Sequence, residues 1–166
     1  MNYDGDAPYA GDLTASAAWD KVADGSAQLV DVRTEGEWQH IGVPKVSGAP
    51  VVFTSWSFAD GSLNPSFLGD VRPLRAVPLV LICRSGRRSV DAAVALTRAG
   101  FTVFNVLDGF EAPGGWRASG LPWRTGWTRE DAAENLADAI ARVDAGGALA
   151  ADSATPARDA RETSAQ

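Results

Sequence analysis

The chain has 166 residues, 45% of them hydrophobic and 22% charged, which suits one ordinary core and is too little for two full domains. No apolar run approaches the roughly 18 residues a membrane span needs, and Met1-Asn2-Tyr3-Asp4-Gly5-Asp6 lacks the basic start and apolar middle of a signal peptide, so a soluble, cytoplasmic protein is expected. A single cysteine, Cys83, and a single histidine, His40, exclude an internal disulfide and any multi-thiolate metal site; no metal and no cofactor are expected.

Fifteen Lys+Arg against 21 Asp+Glu give a formal charge of -6, which argues against a nucleic-acid binder because phosphate contacts need a basic face. Residues 128–166 hold eight acids and four arginines, net -4 of that -6, so residues 1–127 are nearly neutral. Within them, Cys83-Arg84-Ser85-Gly86-Arg87-Arg88-Ser89 carries three arginines and no acid, and an anion would bind there.

Residues 1–11, rich in Gly, Asp and Ala, read as a flexible lead-in to a domain over 12–127. Thr14 suits an N-cap, and Ala15, Ala18, Trp19 and Val22 follow at helical spacing until Asp24-Gly25. The run 28–32 is a short buried strand that delivers Asp31 and Arg33 to its carboxyl end, and a helical turn over 35–40 follows. A second strand is predicted over 50–53. Residues 54–70 then read as a long loop whose Trp56, Phe58 and Phe67 shield a site, form a partner surface or fill the core. The apolar run 78–82 predicts a central parallel strand. Val90, Ala93, Val94 and Leu96 form a helical stripe closed by Gly100, and 102–106 supplies another strand. This alternation predicts an α/β sheet with helices on both faces. Residues 128–145 form an amphipathic helix ending near Gly146-Gly147, used to pair two chains or, more simply, to fold back on its own domain. Residues 146–166 read as a disordered acidic tail.

A lone cysteine ending a strand is ordinarily a small core residue. The polar, Gly-containing turn after Cys83 and the helix start behind it change that reading. Such a turn points successive N–H groups into one concavity, and the helix start and Arg84, Arg87 and Arg88 add positive charge. Each favours thiolate over thiol, placing Cys83 below the reference of about 8.5 and making it a candidate nucleophile. The same cradle, beyond the carboxyl end of a strand, suits a small sulfur or phosphorus oxyanion.

The run from Cys83 to Ser89 resembles the active-site loop of rhodanese-like sulfurtransferases, Cys-x-x-Gly-x-Arg followed by Ser or Thr. Asp31-Val32-Arg33 with Glu37-Trp38, His40-Ile41, and Gly114-Gly115-Trp116 ahead of Gly120-Leu121-Pro122-Trp123 agree in the family's order, so the resemblance covers residues 12–124. It implies a five-stranded parallel sheet flanked by helices and a ping-pong transfer. Cys83 would take a sulfane sulfur from a small anionic donor such as thiosulfate, or from a persulfide, and pass it to cyanide, a thiol or a protein cysteine. The resemblance also implies that amides from Arg84 through Ser85, Gly86, Arg87 and Arg88 to Ser89 hold the persulfide, and that Arg88 binds substrate and braces the loop. Phosphatases of the same fold have one more residue between cysteine and arginine, whereas Cys83 and Arg88 are four residues apart. The resemblance therefore favours sulfur transfer over a phosphatase or arsenate reductase; a non-enzymatic binding or delivery module is the other alternative.

Arg88 needs a carboxylate to direct it, and Asp31 or Glu37 is available. Asp31 and Arg33 are otherwise expected to pair with each other in a structural role. His40, Trp116 and Trp123 are expected to be structural, and Arg84 and Arg87 to contact the donor or to be solvated loop charges. Residues 40–49 depart from the family's His-Ile-Pro-Gly-Ala, which leaves the path over 42–71 open. With one cysteine, the persulfide's acceptor must be external to the chain.

Overall fold

In the computed structural model of the chain the described residues are 7–152, with side chains described to residue 146. The start of the expected lead-in, 1–6, and the end of the expected tail, 153–166, lie outside them.

Five parallel strands form the main sheet: β1 (Gly11–Leu13), β2 (Gln28–Asp31), β4 (Val52–Phe53), β5 (Leu79–Ile82) and β6 (Val103–Val106), in the order β1-β6-β5-β2-β4. β3 (Val43–Pro44) lies apart from it, antiparallel to β7 (Trp123–Arg124). All four residues of β2 and of β5 are buried, as the unbroken apolar run over 78–82 required of a strand covered on both faces. Their register pairs Val30 with Leu81 and Asp31 with Ile82, so the chain segments leaving the two strands emerge side by side.

Side chains alternate across the sheet. Val30, Leu79 and Leu81 pack with α3 (Phe67–Val71), α4 (Arg88–Arg98) and α5 (Arg129–Asp152), while Leu29, Val80 and Ile82 pack with α1 (Ala15–Ala23), Phe110 and Trp116. Thr14 caps α1, its hydroxyl oxygen accepting from the Ala17 N–H at 3.1 Å. In α2 (Glu35–His40) the Thr34 oxygen accepts from the Glu37 N–H, and the Glu37 carboxylate accepts from the Thr34 N–H, a reciprocal capping box.

Four features differ from the sequence reading. The expected lead-in over 1–11 turns into β1 at its end. No β-rich run marks that strand; it is held by its neighbour, with Ala10 N–H donating to the Val103 carbonyl and Leu107 N–H to that of Leu13, both at 2.8 Å. The expected loop over 54–70 does not stay irregular. It folds into α3 at Phe67, where Phe67 is buried and meets Trp56 edge-on at 5.3 Å, so those two aromatics fill the core while Phe58 is 45% exposed. The terminal helix runs through Gly146-Gly147 to Asp152, because glycine weakens a helix by about 1 kcal/mol without removing a backbone donor. It folds back, Ala139 and Val143 being buried against the sheet. Finally, β3 and β7 were not anticipated, and they carry the chain over the departure at 40–49. Trp116 is fully buried and its Nε1 donates to the Pro122 carbonyl at 2.7 Å, whereas Trp123 is 39% exposed beneath the Arg117 guanidinium.

Candidate active site

Cys83 follows β5 directly and is 1% exposed. The turn after β6 clamps it from behind: the Cys83 and Arg84 carbonyls accept from the Phe110 and Glu111 N–H groups at 2.8 and 2.9 Å. This contact requires Gly109, whose φ is +56° and where a Cβ would lie 2.4 Å from the Cys83 carbonyl oxygen. Gly86, at φ +92°, reverses the loop against Asp108.

That reversal turns backbone donors onto the sulfur. Cys83 Sγ receives the Gly86 N–H at 3.1 Å and the Ser89 N–H at 3.4 Å, and the Ser89 hydroxyl lies 3.2 Å away. No side chain of Arg87 caps α4, so the sulfur takes one of the helix's otherwise unpaired first-turn donors at its positive end. Of the amides over 84–89, those of Gly86 and Ser89 reach Sγ; Arg84, Ser85 and Arg87 sit exposed on the outer side of the loop. The Arg84 guanidinium faces Glu111 at 3.5 Å with 67% of its side chain exposed.

Arg88 turns inward. Its Nη1 and Nη2 donate to Glu37 Oε1 and Oε2, both at 2.9 Å, so of the two candidate carboxylates Glu37 directs it. Burial pushes the Glu37 carboxyl up, but hydrogen bonds from Arg88 and the Thr34 amide, the Arg88 charge and the Thr34 hydroxyl outweigh it, leaving the group below its usual value. The hydrogen bonds to Glu37 raise Arg88 against the effect of its own burial, and the neighbouring charges of Glu37, Cys83 and Asp31 add to this.

Asp31 and Arg33 pair with each other, both fully buried, through Nη2–Oδ2 at 2.8 Å and Nε–Oδ1 at 3.0 Å. Arg33 Nη2 also donates to the Gly42 carbonyl at 2.8 Å, and its guanidinium lies 4.4 Å over the Phe110 ring. Burial opposes the Arg33 charge, yet Asp31's charge and hydrogen bonds prevail and hold it more firmly protonated than usual. The pair ties β2 to the Gly42 bend and to the turn that clamps Cys83. His40, at the end of α2, is exposed.

A cleft of about 690 Å³ opens over the loop, with Arg84, Arg88, Glu37 and Glu111 on its charged walls and Phe58 and Ile41 on its apolar side. Sequence reasoning missed Gly109, Glu111 and Asn105. The last, 2% exposed, accepts from the Ser89 hydroxyl at 2.5 Å; its visible signal was a lone amide within the apolar run Val103-Phe104-Asn105-Val106. Among the described residues no helix is long and apolar enough to cross a membrane.

The rhodanese-like domain model matches residues 14–114, which hold four of the five parallel strands of the main sheet and the cysteine loop that opens into α4. The chain belongs to the rhodanese-like domain family. It is similar to an uncharacterized protein of Rickettsia conorii, 35% identical over 68% of this chain and 95% of that protein. A thiosulfate sulfurtransferase, GlpE of Actinobacillus succinogenes, is 27% identical over 70% of this chain and 92% of its own. The crystal structure of Rv0390 from M. tuberculosis superposes with a TM-score of 0.66 at 47% identity, covering 71% of this chain and 99% of that one.

Proposed function

We propose that the protein is a sulfurtransferase in which Cys83 carries a sulfane sulfur. The observation that carries this reading is the convergence of the Gly86 and Ser89 amides on one buried sulfur, beside a guanidinium held in place by Glu37. Two backbone donors aimed at Sγ favour its anionic form, and a nucleophile needs that form. With thiosulfate as donor, Cys83 Sγ attacks the outer sulfur. An S–S bond forms to the protein, the donor's own S–S bond breaks, and sulfite leaves with the electron pair. Arg88, at the cleft wall, neutralises the departing oxyanion. In the second half a nucleophilic acceptor, such as cyanide, a thiol or a protein cysteine, takes the outer sulfur and restores the Cys83 thiolate. Arg84, on the cleft wall, and Arg87, exposed on the outer side of the loop, draw in the anion.

The test is twofold. Incubation with thiosulfate should add the mass of one sulfur atom to Cys83, and thiocyanate should then form with cyanide. Equal thiocyanate from Cys83→Ser and the unaltered protein would remove Cys83 from the reaction. Sulfur loading without turnover would point to a delivery module that passes its sulfur to a protein.

A further inference from the structure

The hydroxyl of Ser89 has one hydrogen and two neighbours that could receive it. Cys83 Sγ lies 3.2 Å from the oxygen and Asn105 Oδ1 lies at 2.5 Å. The identity of that second acceptor is decided 93 positions away in the chain. Asn105 Nδ2 donates to Asp12 Oδ1 at 3.0 Å, and a carboxylate only accepts, so the amide must present its NH₂ to Asp12 and its oxygen to Ser89. Tyr9 donates its hydroxyl to the same Asp12 oxygen at 2.8 Å. Burial, the hydrogen bond to Asp12 and the Asp12 charge push the Tyr9 phenol up to about 12, so Tyr9 stays a donor and Asp12 keeps its accepting role.

We propose that Asn105, oriented by Asp12, is a positioning residue that holds the Ser89 hydroxyl hydrogen away from Cys83 and so restrains conversion of the thiol to the thiolate. With its hydrogen given to Asn105, the Ser89 oxygen faces the sulfur with lone pairs. It accepts from a thiol S–H and disfavours a thiolate, which gains this donor only when the hydroxyl rotates off Asn105. The cradle is thus one donor short until that rotation occurs. Asp12, on the edge strand β1, and Asn105, inside β6, act on the sulfur through Ser89; the one other contact of Asn105 with the loop is a long one, Nδ2 to the Gly86 carbonyl at 3.5 Å. Arg88, whose charge couples to that of Cys83, is held by Glu37, and Asp31 and Arg33 are bonded to each other, so neither pair is held by Asp12 or Asn105. This inference rests on the proposed function only in taking Cys83 as the reacting atom.

The experiment is a pH titration of thiolate ultraviolet absorbance, with Cys83→Ser subtracted, which reports one sulfur because the chain has a single cysteine. It needs no sulfur donor, so a failed transfer assay and a failed titration are separate results. Asp12→Ala leaves the amide held only by its long 3.5 Å contact to the Gly86 carbonyl and so able to turn, and Asn105→Leu removes the competing acceptor at similar volume. Each should move thiolate formation to lower pH by about half a unit or more, the net worth of one hydrogen bond. In a Ser89→Ala background both shifts should vanish. Asp12 is exposed, so Asp12→Ala decides the matter if Asn105→Leu does not fold. A titration of Asp12→Ala that is unmoved or moved upward overturns the proposal. So does a downward shift that persists without the Ser89 hydroxyl, since it would then come from the lost charge alone.

Discussion

Glu37 and Arg88, 51 positions apart, meet through two parallel hydrogen bonds of 2.9 Å, while the Glu37 carboxylate also closes the capping box of α2. One side chain therefore sets both the start of a helix and the direction of the cation beside Cys83. The fork geometry matters, because a bidentate guanidinium–carboxylate pair fixes orientation as well as distance.

Glu37→Gln keeps the shape of that side chain and loses its charge and one acceptor. Charge-assisted hydrogen bonds contribute about 1.5–3 kcal/mol, so sulfur transfer from thiosulfate is expected to fall by roughly 10- to 100-fold. Steady-state assays with circular dichroism as a control for folding check this. Undiminished transfer would show that Arg88 needs no direction from Glu37.

The same carboxylate makes stability depend on acid. Its folded-state value lies below the reference of 4.5, so on acidification the unfolded chain takes up its proton first. The stabilisation is complete above 4.5 and is lost as pH falls through the lower folded value. Urea midpoints measured from neutral pH down through this window should drop more steeply for the unaltered protein than for Glu37→Gln. Parallel curves would mean that the Arg88 contact does not bias folding.

The Asp31–Arg33 pair yields a different pattern because both partners are fully buried. Arg33→Met strands the Asp31 carboxylate in the core and should cost about 3–5 kcal/mol in urea unfolding. Adding Asp31→Leu removes the stranded charge and should recover much of that loss. A double variant as unstable as the single one would locate the cost elsewhere, in the lost contacts to the Gly42 carbonyl and the Phe110 ring.

The sequence by itself determined the parts whose physics is local. The apolar run over 78–82 predicts a buried strand, Thr14 marks a helix start, and the cysteine-to-serine loop with its three arginines marks where an anion would bind. Which carboxylate would meet Arg88 was open, because two were at hand, and the register of β2 against β5 with the placement of α2 brought Glu37 there and left Asp31 to Arg33. β1 was illegible for a related reason: three residues of Gly, Asp and Leu have no strand preference of their own and become a strand when β6 supplies the hydrogen bonds. Asn105, Asp12 and Gly109 belong to the same class. Their positions matter only because the fold brings an amide, a carboxylate and a left-handed turn against the cysteine loop; the lone amide in an apolar run marks Asn105 as unusual, but nothing local names the partners that make it matter.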